Sequence, residues 1–175
     1  MLVRPMRQPR RAATVVESAI ILPITFLLTV GLIVGGMGVF RYQETAHLAR
    51  LTARYAAVHG GQYALENAAA IQAATLPTVN STYLAQTIAA ANAVSLDTSH
   101  LTVTATITTH GGTYGWDDTS DTNNRLPYST YTDSNSNTIY VTNTVQVTVS
   151  YEWMPEWFLA GPITLTSTAV VPMSY

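Results

Sequence analysis

The sequence from Ser18 to Phe40 is SAIILPITFLLTVGLIVGGMGVF, a run of 23 residues without a charged side chain. An α-helix rises about 1.5 Å per residue, so this run extends about 34 Å and is long enough to cross a hydrocarbon layer of about 30 Å. A buried helix of a soluble protein rarely has so long a stretch without charge. The run therefore predicts a membrane-spanning helix.

The charges on the two sides of this run differ in sign. All eight basic residues are arginines, and four of them lie in the first eleven positions, whereas residues 41–175 contain four arginines and nine acidic residues, a net charge of −5. Arginine-rich flanks stay in the cytoplasm. We therefore expect a single-pass membrane protein with its N-terminus cytoplasmic and its C-terminal domain on the far side of the membrane. In a bacterium this would be the cytoplasmic (inner) membrane, with the domain periplasmic or extracellular. The acidic body argues against nucleic-acid binding, and a chain without cysteine has no disulfide, thiolate metal site or cysteine nucleophile.

The residues after the apolar run continue the helical pattern. Small residues recur at intervals of three and four, and the Gly60-Gly61 pair is typical of a helix end. The stripe consists of Tyr42, Ala46, Ala49, Ala53 and Ala56. The pattern predicts one helix from Thr14 to His59, and with it a division into a basic leader (residues 1–12), a long membrane-spanning helix (13–60) and an exported α+β domain (61–175).

The exported domain has both helical and strand patterns. Helical segments are expected at Ala64–Ala74 and Ser81–Ala93, the second with Asn80 as N-cap. Alternation of apolar and polar residues predicts three strands, at Leu101–Ile107, Thr138–Val149 and Ile163–Val171. The polar residues from His110 to Asn137 predict a long exposed loop with a small hairpin around Tyr128–Tyr131. The expected fold is α+β, with a long N-terminal helix, one or two short helices and a small three-stranded antiparallel sheet.

Three features of the apolar helix are candidates for function. Glu17 stands at the start of the run, where an ionised carboxylate is costly unless it reaches the headgroup region or a cationic partner. Pro23 lacks an N–H and frees the Ala19 carbonyl, which either serves packing or is merely tolerated in a membrane helix. Gly31 and Gly35 form a GxxxG motif, which allows close approach of two helices in lipid and suggests self-association through this helix.

The residues around Glu17 resemble a known family. The sequence Arg10-Arg11-Ala12-Ala13-Thr14-Val15-Val16-Glu17, followed by an apolar helix with Leu22-Pro23 and by Ala53-Arg54-Tyr55-Ala56, is similar to the TadE-like proteins of tight-adherence pilus systems, within the type IV pilin superfamily. The resemblance covers residues 10–58 most strongly. It implies a pilin-like fold, cleavage by a prepilin peptidase between Ala12 and Ala13, and pairing of Glu17 with the new α-amine of a neighbouring subunit. This chain has Ala12 where glycine is usual and Ser18 where an aromatic residue is usual.

Other polar and aromatic clusters suggest no enzyme. The four histidines lack metal-ligand spacing, and Asp133, Asn135 and Asn137 copy only the beginning of a calcium loop, so neither a metal nor a cofactor is expected. No set of residues has the context of a catalytic site. Trp153, Trp157 and Phe158 lie between two strands, where they either cap the core or form a contact loop for a subunit or a membrane surface.

The predicted function is structural. By resemblance, the protein is a minor pilin or pseudopilin that acts in assembly of a tight-adherence pilus or a related secretion apparatus. Its partners would be the membrane, a prepilin peptidase, other pilins and pilus-assembly proteins. The alternative is a single-pass membrane protein whose exported domain binds a ligand or partner and never polymerises.

Overall fold

A computed structural model describes residues 11–118, 124–155 and 161–174, with side chains from Thr14 onward. The chain divides into two compact units, one up to Val39 and one from Phe40. The α-helices are α1 (Arg11–Val58), α2 (Gly61–Glu66), α3 (Ala68–Gln72) and α4 (Ser81–Tyr83), joined by a π-helical stretch (Leu84–Ala89) and two 3₁₀ turns (Ala90–Asn92 and Thr98–His100). The strands are β1 (Leu101–Thr109), β2 (Gly112–Gly115), β3 (Tyr128–Thr132), β4 (Thr138–Thr142), β5 (Thr144–Trp153) and β6 (Ile163–Pro172). The predicted α+β class is confirmed.

The long N-terminal helix is present as predicted. Helix α1 has 48 residues and is continuous through Pro23. Its apolar part belongs to the first unit, and its alanine-rich part belongs to the second. One helix therefore supplies both an apolar rod and a structural element of a folded domain.

The sheet is larger than the three strands that alternation predicts. Four antiparallel strands lie in the order β2-β1-β5-β6, and β3 and β4 form a separate two-stranded sheet. The expected strand Thr138–Val149 is two strands, because the chain leaves one sheet and enters the other at Asn143. The Asn143 backbone N–H donates to the Pro127 carbonyl at 3.0 Å, and its carbonyl accepts from Met173 N–H at 2.8 Å. The side-chain amide of this fully buried residue donates to the Leu126 carbonyl at 3.0 Å.

The prediction of one long exposed loop from His110 to Asn137 is wrong where the structure has strands and buried side chains, although most of the described residues of this segment are exposed. The segment contains β2 and β3, and Trp116 within it is only 1% exposed. The hairpin around Tyr128–Tyr131 is confirmed, since Tyr131 pairs with Ile139 across β3 and β4. A segment of polar composition thus contributes a side chain to the core.

The core of the second unit lies between α1 and one side of the four-stranded sheet. On α1 the alanines of the small-residue stripe are buried, with Ala49, Ala53 and Ala56 fully inaccessible, whereas Tyr42 is exposed. On the sheet, alternate residues of β5 point the same way and are buried: Val145, Val147, Val149, Tyr151 and Trp153. Small side chains on the helix allow its backbone to come close to these larger residues, which is why an alanine-rich helix packs well on a valine-rich sheet.

The short helices differ in detail from the sequence pattern. Asn80 caps α4 as predicted, its side chain accepting from Tyr83 N–H at 2.7 Å. The helix then widens into the π-helical stretch, where Leu84 and Ala89 are both fully buried. The predicted single helix at Ala64–Ala74 is instead two short helices, α2 and α3, that meet at Asn67.

Candidate functional site

The apolar half of α1 exposes its side chains along its whole described length. Val15 is 67% exposed and Leu32 is 78% exposed, values that are costly for large apolar residues in water. Among the described residues, α1 is the one helix long and apolar enough to cross a membrane. The helix is therefore consistent with a membrane anchor.

The Ala12–Ala13 bond lies in the first turn of α1, which begins at Arg11. The first four N–H groups of a helix have no partner within it, so opening this turn breaks few backbone hydrogen bonds. The side chains of Ala12 and Ala13 lie outside the described part of the chain.

Glu17 is an exposed carboxylate on an apolar surface. Its neighbours Val16 and Ile20 are 62% and 61% exposed. Since residues four apart share a helix face, Glu17 lies one turn beyond Ala13 along the same side of α1. An amine created at Ala13 would therefore be near the Glu17 carboxylate of its own chain as well as available to another.

Two further features of this helix concern packing. Pro23 is followed by Thr25, whose hydroxyl donates to the Ile21 carbonyl at 2.9 Å, so this side chain is satisfied within its own helix. At Gly31 and Gly35 a Cβ atom would meet nothing within 4 Å. Both glycines lie on an open surface that a second helix backbone is able to approach.

In the second unit, the carboxylate of Glu44 joins α1 to the chain before β1. It accepts hydrogen bonds from Val94 N–H at 2.5 Å and Ser95 N–H at 2.9 Å, and also from the Ser95 hydroxyl. Its partners are about fifty positions away, so no local signal identified this role.

The aromatic segment after β5 is only partly described. Trp153 is 4% exposed, and the Arg41 guanidinium lies over its ring at 5.4 Å from the centroid. The indole N–H of Trp153 has no hydrogen-bond partner among the described residues. Trp157 and Phe158 lie outside the described part of the chain.

A second buried tryptophan, Trp116, contacts two residues that line a cavity, Val79 and Arg125, and neither its burial nor the cavity was predicted from the sequence. The indole N–H of Trp116 donates to the Val79 carbonyl at 3.0 Å, and the Arg125 guanidinium lies 5.7 Å from its ring centroid. Arg125 also donates to the Val79 carbonyl at 3.3 Å and has a φ of 64°, a left-handed conformation that is uncommon for arginine. The guanidinium lines a cavity of about 200 Å³ together with His59 and Tyr63. The signal for this site was a lone tryptophan in a polar segment.

The acidic and amide residues of the β3–β4 turn bind one another. The Asp133 carboxylate accepts from the backbone N–H groups of Asn135 and Asn137, each at 2.8 Å. These hydrogen bonds hold the pKa of Asp133 below its usual value, chiefly through the Asn137 backbone N–H. Within the part of the chain that the structure describes, no three histidine, aspartate or glutamate side chains are grouped as metal ligands would be. The turn is thus organised by its own hydrogen bonds.

Comparison with known proteins bears on α1 alone. No curated protein and no solved structure matches the chain. Residues 12–54 match the family model described as TadE-like protein. The matched region contains Glu17, Pro23 and both glycines of the GxxxG motif, and it ends four residues before α1 does. The resemblance predicted from the sequence is therefore confirmed: most of the N-terminal helix of this chain is similar to the TadE-like family.

Proposed function

We propose that this protein is a membrane-anchored minor pilin or pseudopilin that acts in assembly of a tight-adherence pilus or a related secretion apparatus. The observation that carries the proposal is the TadE-like match over residues 12–54, which coincides with an exposed apolar helix that includes Glu17. The role is structural: the chain contributes a helix and a folded domain to an assembly. Its partners are a prepilin peptidase, other pilins and pilus-assembly proteins.

The proposed location follows from the charges. The arginine-rich leader stays in the cytoplasm, α1 crosses the cytoplasmic membrane once, and the acidic domain lies in the periplasm or outside the cell. Moving four arginines across the membrane would be much more costly than leaving them in place.

The proposed chemistry begins with removal of residues 1–12. Hydrolysis of the Ala12–Ala13 bond gives Ala13 an α-amine that is positively charged near neutral pH. In lipid, this amine and the Glu17 carboxylate are each costly alone, and pairing them removes both costs. A pair within one chain neutralises the same charges, but only a pair between two chains joins helices and fixes their axial offset. The Gly31 and Gly35 surface would then allow these helices to pack closely.

The decisive experiment combines cleavage with assembly. The native protein is recovered from cells with and without prepilin peptidase, and its N-terminus is sequenced; the expected result is loss of residues 1–12 only when the peptidase is present. The variant Glu17→Ala should insert into membranes and be cleaved normally but should fail to enter the assembly. Its neighbour variant Ser18→Ala is the control and should assemble normally. Normal assembly by Glu17→Ala would refute the pairing.

A second candidate function is favoured by the cavity beside Trp116. A guanidinium held in place beside a cavity of about 200 Å³ suits a small ligand bound by an exported domain that does not polymerise. The same sequencing experiment separates the two functions. Retention of residues 1–12 in both samples would favour the ligand-binding protein, because a permanent anchor keeps its leader.

A further inference from the structure

The second unit has two ends along its part of α1, and its own contacts show which parts of the sheet lie at each. At the C-terminal end of α1, the Ser174 N–H donates to the Ala57 carbonyl at 3.1 Å. At the other end, the Arg41 guanidinium lies over the ring of Trp153, the last residue of β5. Trp153 pairs with Ile163, the first residue of β6. Strand β5 therefore ends, and β6 begins, at the level of Arg41.

This end of the unit lies where the apolar run of α1 stops. Phe40 is the last residue of the run, and Arg41 is the first charged residue after it. At about 1.5 Å per residue, Glu44 lies about 6 Å beyond Phe40 along the helix. The backbone N–H groups of Val94 and Ser95 donate to Glu44, so they lie at the same level. The polar layer of a bilayer extends about 5–8 Å beyond its hydrocarbon core, so a membrane crossed by the apolar run has its headgroups around these residues.

Three large apolar side chains are exposed at this end, and they come from separate segments. Val94 precedes β1 and is 90% exposed, Met154 follows β5 and is 62% exposed, and Ile163 begins β6. Met154 lines the same surface pocket as Arg41 and Ser95, which places it beside the start of this unit. Apolar side chains of this size are costly in water, and the interface of a bilayer relieves that cost. The three side chains are thus placed to enter the headgroup layer.

The charged residues at this end have both signs. The pocket has a volume of about 270 Å³ and is lined by Arg41, Asp97 and Glu152 among others. Both acidic residues are exposed. A zwitterionic headgroup such as that of phosphatidylethanolamine carries a phosphate and a primary ammonium, which suit a guanidinium and carboxylates respectively. An anionic lipid surface would instead repel the two carboxylates.

We propose that this end of the domain rests on the membrane surface, at headgroups that carry a primary ammonium as in phosphatidylethanolamine. Val94, Met154 and Ile163 enter the headgroup layer, and Asp97 and Glu152 accept hydrogen bonds from the ammonium groups. The inference rests on the proposed crossing of the membrane by α1 and adds a second contact, made by the folded domain itself. That contact holds the domain in one orientation on the membrane.

The absence of native cysteine allows a direct test. The full chain with Val94→Cys or Met154→Cys is labelled with a polarity-sensitive fluorophore, in vesicles of phosphatidylethanolamine and phosphatidylcholine. A nitroxide on a lipid headgroup quenches fluorophores that lie in the headgroup layer. We expect strong quenching and blue-shifted emission at both positions. The matched control Leu65→Cys should show neither, because Leu65 is also exposed, at 68%, but lies in α2, which follows the far end of α1.

A label within the apolar run separates this inference from the proposed function. Leu28→Cys should be shielded from a water-soluble quencher, because Leu28 lies inside the run. An accessible label there would show that α1 does not cross the membrane, which would refute both. A shielded label at Leu28, with headgroup quenching at Val94 or Met154 no stronger than in the control, would overturn the docking alone.

A change of lipid tests the choice of headgroup. Replacing phosphatidylethanolamine with phosphatidylglycerol should lower the ratio of docked to undocked domain at least about fivefold, measured by quenching of the Val94→Cys label. The double change Asp97→Asn with Glu152→Gln should remove most of this difference. Asparagine still caps the 3₁₀ turn, where Asp97 accepts from the Ser99 N–H at 2.9 Å, so the fold is retained. Equal or stronger docking on phosphatidylglycerol, or a lipid preference that survives the double change, would overturn the proposal.

Discussion

Trp116 and Trp153 form a matched pair from which the stabilising effect of one buried hydrogen bond is measurable. Both are nearly inaccessible, at 1% and 4% exposure, and each has an arginine guanidinium over its ring, at 5.7 Å and 5.4 Å. They differ at the indole N–H. The N–H of Trp116 donates to the Val79 carbonyl, whereas the N–H of Trp153 has no partner among the described residues. Replacing each with phenylalanine should therefore cost different free energies.

The difference follows from the two N–H groups. Trp116→Phe and Trp153→Phe remove the same ring atoms from a packed core and weaken similar contacts with arginine, so these losses largely cancel in the comparison. Trp116→Phe also loses a net contribution of about 1 kcal/mol from its hydrogen bond. Trp153→Phe instead removes a buried donor that has no partner among the described residues, and leaving such a donor unpaired costs about 2 kcal/mol. The free energy of unfolding should thus be about 3 kcal/mol lower for Trp116→Phe than for Trp153→Phe.

Urea unfolding of the full chain in detergent measures this difference. With an m-value of about 2 kcal/mol/M, the midpoint for Trp116→Phe should lie about 1.5 M below that for Trp153→Phe. Protease resistance after each incubation is a suitable signal, because the variants differ in tryptophan fluorescence. Equal midpoints, or a lower midpoint for Trp153→Phe, would show that the two indole N–H groups are not differently satisfied.

Two further predictions concern carboxylates that accept backbone hydrogen bonds. Glu44→Gln should speed hydrogen exchange at the Val94 and Ser95 amides, because an uncharged amide is a weaker acceptor than a carboxylate; unchanged exchange at both would contradict this contact. At the β3–β4 turn, the pKa of Asp133 is lowered chiefly by the hydrogen bond from the Asn137 backbone N–H. The ionised carboxylate should therefore stabilise the turn fully above about pH 4, and the turn should loosen as the pH falls through the lowered pKa. Amide chemical shifts of the turn should follow this titration, and Asp133→Ala should abolish it; a turn equally ordered at all pH values would refute the assignment.

The sequence predicted the long helix well, because hydropathy and small-residue spacing are local properties. The alternation of apolar and polar residues also predicted the positions of strands β1 and β6. The division at Asn143 did not, since the same alternation runs through both β4 and β5. What separates the strands is a set of hydrogen bonds from Asn143 to Leu126, Pro127 and Met173, which are distant in sequence. Such contacts leave no periodic pattern.

The residues of the candidate site were likewise predicted from the sequence only in part. The family resemblance implied the roles of Ala12, Ala13 and Glu17. These roles concern a peptidase and a neighbouring subunit, so they stay predictions. Trp116 was missed because polar residues surround it, and they predict an exposed loop. Its burial depends on the carbonyl of Val79 and on Arg125, neither of which is adjacent to it in the sequence.

The π-helical stretch between Leu84 and Ala89 has a consequence for how this region tolerates insertions and deletions. In an α-helix each residue turns by about 100°, so two residues five apart point about 140° away from each other and both are rarely buried. The i to i+5 bonding of a π-turn stacks them instead, which is how Leu84 and Ala89 both reach the core. Removing one residue between them would restore an ordinary α-helix with the two side chains four apart, still on one face. A variant of this chain that is one residue shorter here would therefore retain the same core, whereas a deletion of three residues would leave the two side chains two apart and would direct one of them into solvent.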